Sequence, residues 1–431
     1  MNLFEQKTLE AVSDKSKRFP IVDGPFGTQL HSEEYQAEGI PVIRVTNLSF
    51  DGRFLNEDMV YISEKKAQKL SRSELSENDL IIAKTGATIG KAALFPLKKG
   101  LIASSCLKTS LDKAQVDPRF VLYLIVSAEG QRKILDSAGG STRTTINITP
   151  FSKISFSFPP RDFQTKIAKV LVVVDQAIEH TELLIAKYQR IKTGLMQDLL
   201  TRGIDEHGCL RDPATHKFKE SPIGLIPDEW QIKQLQQIAE VDRGQFKHRP
   251  RNDPAFYCGE HPFIQTGDIT NNLGRHLYTF SQTLSDRGVT VSRLFPAETI
   301  AVTIAANIAD TAILGIPMYF PDSVVGVVVS KGYSTRFVEL CIRARKRTLE
   351  SLAPQSAQKN INLEHLRPLL IPVPCPEEQN IISQVYESTL RSLELEEAEL
   401  TKLQKVKAGL MQDLLTGKVS VEPLLEPQPA N

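Results

Sequence analysis

The chain is predicted to be an α+β protein. It has two similar globular regions separated by a pair of long antiparallel, coiled-coil-like helices, arranged as an internal repeat with pseudo-twofold symmetry. Three observations predict this. The octapeptide GLMQDLLT occurs at 194–201 and again at 409–416, 215 positions apart. The match extends upstream without a gap: aligning 162–201 with 377–416 gives 16 identities in 40 positions, among them Gln164/Gln379, Ile167/Ile382, Val170/Val385, Glu179/Glu394 and Lys192/Lys407. The region before each copy is rich in short β-branched runs separated by turn residues. Self-similarity of this extent makes the chain two related halves.

The helices come first because their signal is strongest. Ile167, Leu171, Val174, Ile178, Ile185, Tyr188, Leu195 and Leu199 define a heptad-like stripe, interrupted by Thr181 and Lys192. Ile382, Tyr386, Leu393, Leu400, Leu403, Leu410 and Leu414 form the equivalent stripe. Prolines stand just before each segment and none within; Gly203 and Gly417 follow, where a glycine ends a helix. Forty residues at a rise of about 1.5 Å give helices roughly 60 Å long. Such helices outgrow an ordinary domain, so they are expected to pack against each other, antiparallel, because a globular region connects them.

The globular regions read as short strands with a few helices. The expected strands are 41–45, 79–83, 101–103 and 154–158 in the first, and 262–265, 299–304, 324–330 and 369–373 in the second. Helices are expected at 118–135 and 335–352. The run PVIRVT beginning at Pro41 matches PFIQT beginning at Pro262, and places Asn47 opposite Asp268. The two regions therefore read as one fold with diverged surfaces. The predicted segments are 1–160, helix 161–203, a polar connector 204–220, 221–375, helix 376–418 and a disordered tail 419–431 whose end holds three prolines.

Composition narrows the function. A net charge of +1 provides no global field towards polyanions, so any nucleic-acid surface must be local. Five scattered cysteines with no CxxC pair argue against a disulfide framework and a structural zinc site. The early acidic residues exclude a signal peptide, and the longest apolar runs are too short to span a bilayer. A soluble cytoplasmic protein is expected.

Catalytic motifs are absent from the sequence. The stretch GATIGKA at 86–92 imitates a phosphate loop but has three residues between its glycines and Ala92 where magnesium binding needs Ser or Thr. It reads as a tight turn after a strand. GxGxxG, HExxH, GxSxG and an Asn-Pro-Pro-aromatic tetrapeptide are all missing, and the eight histidines show no ligand spacing. What remains are loops of cations, amides and hydroxyls: 243–251 with Arg243, Lys247, His248 and Arg249; 343–347; 357–362 with Lys359 and Asn360; 138–147 with Arg143 and Thr144; and Lys84-Thr85. These residue types contact phosphates and base edges alike, and they equally suit ordinary solvated loops.

Two diverged β-rich regions, each followed by a copy of one helix ending in GLMQDLLT, resemble the DNA-specificity subunit of type I restriction–modification enzymes. IPDEWQIKQL at 226–235 and DLIIAKTGATIG at 79–90 are similar to the same family, although the first half has no clear counterpart of IPDEW. The resemblance implies two target-recognition domains, each reading half of a bipartite, asymmetric site in double-stranded DNA. It implies helices that set the spacer and dock two modification subunits, with restriction/translocase subunits as further partners. No cofactor is then expected in this chain; S-adenosylmethionine, ATP and magnesium would sit on partners. The candidate DNA contacts are Arg44, Thr46, Asn47, Lys84, Thr85, Arg143, Thr144, Arg243, Lys247, His248, Arg249, Gln265, Thr266, Lys359 and Asn360. The candidate partner-binding residues are Leu195, Met196, Leu199, Leu410, Met411 and Leu414. The residues alone also admit a coiled-coil scaffold that binds proteins and lacks DNA specificity. Steep salt dependence of DNA affinity separates the two. A stand-alone methyltransferase, which would bind S-adenosylmethionine itself, is the third reading.

Overall fold

A computed structural model describes residues 4–25, 29–139, 144–248, 250–305, 307–353 and 360–424. The two predicted long helices form over Arg161–Thr201 and Pro376–Leu415, starting where expected and ending two and three residues earlier. The chain divides into two compact units, Met1–Glu182 with Ala398–Asn431, and Leu183–Glu397. Each long helix therefore contributes one end to each unit.

In the first unit Ile167 and Leu171 share a core with Leu414 and Leu415, while Asp175 lies 2.6 Å from Lys407. The two helix segments thus run antiparallel. In the second unit Leu199 and Leu200 share a core with Ile382, Tyr386 and Leu390, and the charge of Glu397 acts on Lys192, which gives the same antiparallel sense.

The two globular regions share one topology, as the alignment predicted. The first has a sheet ordered Ile21–Asp23, Cys106–Thr109, Leu80–Ala83, Ala92–Leu94. The second repeats it as Ala239–Arg243, Val324–Val329, Ile300–Thr303, Thr311–Leu314, and adds His276–Leu277 at the edge. A second sheet in the first unit, ordered Val60–Ile62, Ile40–Ile43, Lys99–Ile102, Glu74–Ser76, is matched by Gln282–Leu284, Tyr257–Phe263, Met318–Phe320, Arg293–Phe295. In both, the two central strands are parallel and their outer neighbours antiparallel. The central strands of the first sheets are buried throughout, which is why they read as continuous apolar runs.

The expected helices at 118–135 and 335–352 are each broken in two. Pro118–Val126 stops at Ser127, whose hydroxyl accepts from the Gly130 amide and starts Ala128–Asp136. Thr335–Ala344 stops at Arg345 before Lys346–Leu352. A period of 3.6 continues through such a break, so the sequence pattern does not register it.

Repeated residues explain themselves as fasteners. The Gln164 amide donates to the Pro159 carbonyl at 2.9 Å and accepts from the Asp117 amide at 3.0 Å. Gln379 does the same with Pro374 and Ser334, both at 3.0 Å. Each glutamine thereby ties its long helix to the capping residue of the domain's own helix.

The octapeptide has the same kind of role, and this corrects the assignment of Leu199 and Leu414 to partner docking. Leu199 and Leu414 are buried, with Leu195 and Met196 packed against the second unit's core and Leu410 and Met411 against the first's. Their apolar side chains face inward because each helix end completes a domain core. Gly203 and Gly417 close the helices with φ of +65° and +73°, and a Cβ on either would strike Trp230 or Phe4 respectively. Phe4 followed by strand Glu5–Thr8 is therefore the counterpart of Trp230 followed by Gln231–Gln234, the match that sequence reading missed.

The connector and tail are also more structured than expected. Arg211 is buried against Glu378, at 2.5 and 3.2 Å, and Glu378 also accepts from the Trp230 indole at 3.1 Å and the Ile204 amide at 2.9 Å. Val421 is buried in the first unit's core, so the tail is not solvated over its whole length; residues 425–431 lie outside the described residues.

Candidate nucleic-acid interface

Two glycines mark where the chain passes between sheets. A Cβ on Gly24 would sit 2.0 Å from the Ala103 carbonyl oxygen, and one on Gly244 would sit 2.3 Å from that of Pro321. Both amides donate across the crossing, Gly24 to Cys106 at 3.1 Å and Gly244 to Val324 at 2.8 Å. Only glycine permits that approach. The loops that follow, from Pro25 and from Gln245, are thereby launched from equivalent places.

Next to each crossing a second loop is held in place. In the first unit Lys84 donates its amide to Ser105 at 2.9 Å, Ile146 donates to the Lys84 carbonyl at 2.9 Å, and Gly86 donates to the Thr144 carbonyl at 3.1 Å. The candidates Lys84, Thr85 and Thr144 are thus gathered together, although 58 or more positions separate Thr144 from the others in sequence. The stretch at 86–92 begins with the turn Gly86–Thr88, as the turn reading expected. In the second unit the Ile304 amide donates to Ser323 at 3.2 Å and Ile361 donates to the Ile304 carbonyl at 3.0 Å, so the exposed Asn360 stands opposite Ala305. The Lys84 ammonium is 3.1 Å from Asp23 and mostly buried, which leaves it a largely internal charge. Arg143, Arg249 and Lys359 lie outside the described residues.

The clearest correspondence lies at the ends of strands Ile40–Ile43 and Tyr257–Phe263. Both run into a short helical turn with the same cap: the Arg44 amide donates to Asn47 Oδ1 at 3.0 Å, and the Gln265 amide donates to Asp268 Oδ2 at 2.8 Å. This corrects the assignment of Asn47 to DNA contact. It is fully buried, and its Nδ2 donates to the carbonyls of Leu55 and Glu57 at 3.1 and 2.9 Å, so its side chain is fully engaged in holding the turn. The neighbouring Arg44 is half-buried and donates from Nη2 to the Asp58 carbonyl, while Thr46 is exposed. In the second unit Thr266 is half-buried and Gln265 Nε2 donates to Gln282 Oε1 at 3.0 Å.

Beside Gln265 the second unit carries a cavity of about 380 Å³ lined by Phe246, Arg251, Asn252, Tyr257, Phe263, Gln265, Gln282, Pro321 and Asp322. Phe246 stacks on Tyr257 with centroids 5.5 Å apart and leans on Phe263 at 5.8 Å. The basic loop forms its rim: Arg243 donates to the Asp322 carbonyl and Arg251 pairs with the Asp322 carboxylate. His248 stacks on Phe256 at 4.0 Å and lies 3.2 Å from Asp253, and Lys247 is exposed. Tyr257, Gln282 and Asn252 were missed because nothing local marks them; the aromatic density of 246–263 was the available signal. Apolar walls with a few placed amides and cations suit a flat polar ligand edge. Among the described residues no group of three or more His, Cys, Asp and Glu could hold a metal ion, and no helix is long and apolar enough to cross a membrane.

Comparison with known proteins agrees with this arrangement. The profile of the type I restriction modification DNA specificity domain matches residues 26–187 and 227–405, one match in each half. The chain is 25% identical over 374 residues to the MjaVIII type I restriction enzyme specificity subunit of Methanocaldococcus jannaschii, covering 83% of this chain and 84% of that one. It is 20% identical over 362 residues to the HindI specificity subunit of Haemophilus influenzae, covering 70% and 77%. In fold it is similar to the S subunit of a type I restriction–modification system from M. genitalium, with a TM-score of 0.61, 14% identity and coverage of 95% and 96%.

Proposed function

The chain belongs to the type I restriction modification DNA specificity family, and from that premise we propose that it is the sequence-reading, non-catalytic subunit of such a complex. Each unit reads one half of a bipartite site in double-stranded DNA. The observation that carries the reading is one backbone frame used twice with different side chains at its loops: Lys84, Thr85 and Thr144 beside one crossing, Asn360 beside the other, and Arg44 and Gln265 on turns with the same cap. A duplicated frame suits the near-symmetry of a duplex, and diverged side chains suit an asymmetric sequence. The exposed Thr46, Lys247 and Arg243 supply positioning contacts to phosphate.

The long helices would fix the spacer between half-sites and dock two modification subunits. With Leu199 and Leu414 turned inward, docking falls to the half-buried Leu195, Met196, Leu410 and Met411 and to apolar residues on the outer helix faces. Ile191 and Val406 hold equivalent positions in the repeat, are 41% and 43% exposed, and give two partners the same foothold. Restriction/translocase subunits would join through that assembly in the cytoplasm, with S-adenosylmethionine, ATP and magnesium held by partners.

A gel shift with the modification subunits present tests the reading. A preference for one bipartite duplex, with affinity falling steeply as salt rises, supports it. Equal affinity for all duplexes, or no salt dependence, refutes it and favours a protein-binding scaffold.

A further inference from the structure

We propose that Arg44 and Gln265 are the paired specificity positions of the two units, Arg44 selecting guanine in one half-site and Gln265 selecting adenine in the other. The proposal rests on the DNA-reading function above and assigns base identity to named side chains. Its first support is equivalence. Each residue follows the parallel-paired central strand of its sheet, and each backbone amide is bound by the acid or amide three positions on, Asn47 or Asp268. The frame therefore places one backbone position equivalently in the two units, and the side chain it carries differs in chemistry.

The second support is availability. Lys84 is committed to the Asp23 carboxylate, Arg251 to that of Asp322 and His248 to Asp253, whereas Arg243 donates only to the Asp322 carbonyl. Among the described residues Arg44 has no acidic partner. One of its donors is held by the Asp58 carbonyl, which orients the guanidinium, and its Nε is buried without a hydrogen-bond partner. The guanidinium is held in place without being neutralised. Gln265 is oriented by its bond to Gln282, at the mouth of the aromatic cavity.

The third support is chemical fit. An arginine fork matches the O6 and N7 acceptors of guanine, whereas a glutamine amide, donor and acceptor side by side, matches N7 and N6–H of adenine.

The test is selection from a library of randomised duplexes by the full chain assembled with its modification subunits, comparing wild type with R44Q and Q265R. R44Q is expected to lose guanine preference at one position of one half-site by on the order of 10-fold, in favour of adenine, with the other half-site unchanged. Q265R is expected to make the converse change in the other half-site. R44K keeps the charge and drops the fork, so it should retain overall affinity and lose guanine preference; it serves if R44Q fails to fold by thermal melting. Selected motifs identical to wild type in these variants, or a uniform loss of affinity across all sequences, overturn the proposal while leaving the DNA-reading function standing. A wild-type complex that selects no bipartite motif overturns that function and this inference with it.

Discussion

Glu378→Ala should unfold the second unit selectively. Glu378 and Arg211 are 6% and 7% exposed, and the carboxylate accepts four hydrogen bonds: two from Arg211, one from Trp230 and one from the Ile204 amide. Removing one member of a buried ion pair costs about 3–5 kcal/mol, because the remaining charge stays buried. Here Glu229, at 2.9 Å from Arg211 and itself largely exposed, retains part of the compensation, which places the loss near the lower end, about 3 kcal/mol. With a urea slope of up to ~3 kcal/mol/M, the midpoint should fall by about 1 M or more. The assay is built in: Trp230 is the one tryptophan of the chain and touches Glu378, so its fluorescence reports this unit. Glu378→Gln keeps an acceptor and should fall between the two. The position aligned with Glu378 in the first unit is Phe163, so the fold itself does not demand a charge there. An E378A midpoint equal to wild type would refute the reasoning.

Other outcomes follow from packing and charge. Gly24→Ala and Gly244→Ala each drive a Cβ into a backbone carbonyl and should cost about 1–3 kcal/mol or more, read as lower melting temperatures of the respective units. Iodoacetamide at pH 8 should label the exposed Cys209, Cys258 and Cys375 and spare Cys106 and Cys341 in the folded chain by mass spectrometry; burial pushes the Cys106 thiol up to about 12 and raises that of Cys341 as well. Burial acts to raise the Asp51 carboxyl, but the Ser49 hydrogen bond and the charges of Arg53 and Lys407 outweigh it and hold it below its ordinary value. A depressed carboxyl stabilises above its unfolded value, about 4, and the contribution fades as pH falls through the folded value. Asp51→Asn should therefore melt below wild type at pH 7, with the difference shrinking as pH is lowered below about 4; a constant difference would contradict the charge argument.

The long helices were legible because period, prolines and glycines all report local chemistry. The strand ends were legible to within a few residues for the same reason, and the alignment of Arg44 with Gln265 came from a run of only five or six residues. Asn47 shows where this fails: amides that cap and amides that read bases look identical in sequence, and only burial separates them. The inward turn of Leu199 and Leu414 was hidden for a related reason, since identity between two copies follows equally from a shared partner and from two equivalent cores. The cavity beside Gln265 draws on Phe246, Tyr257, Gln282 and Asp322, brought together by sheet pairing that no local pattern encodes.

The division of each long helix between the two units has a consequence for synthesis. The second unit is one uninterrupted stretch, 183–397, and can fold once that stretch has left the ribosome. The first unit is begun earlier but lacks Leu414, Leu415 and Val421 until the last part of the chain is made. Until then its core is open along one side, exposing Leu171, Phe156 and their neighbours to aggregation and to holding chaperones. The half translated first is therefore the half that matures last, and a nascent chain stalled near residue 400 would carry one finished domain and one waiting for its closing helix.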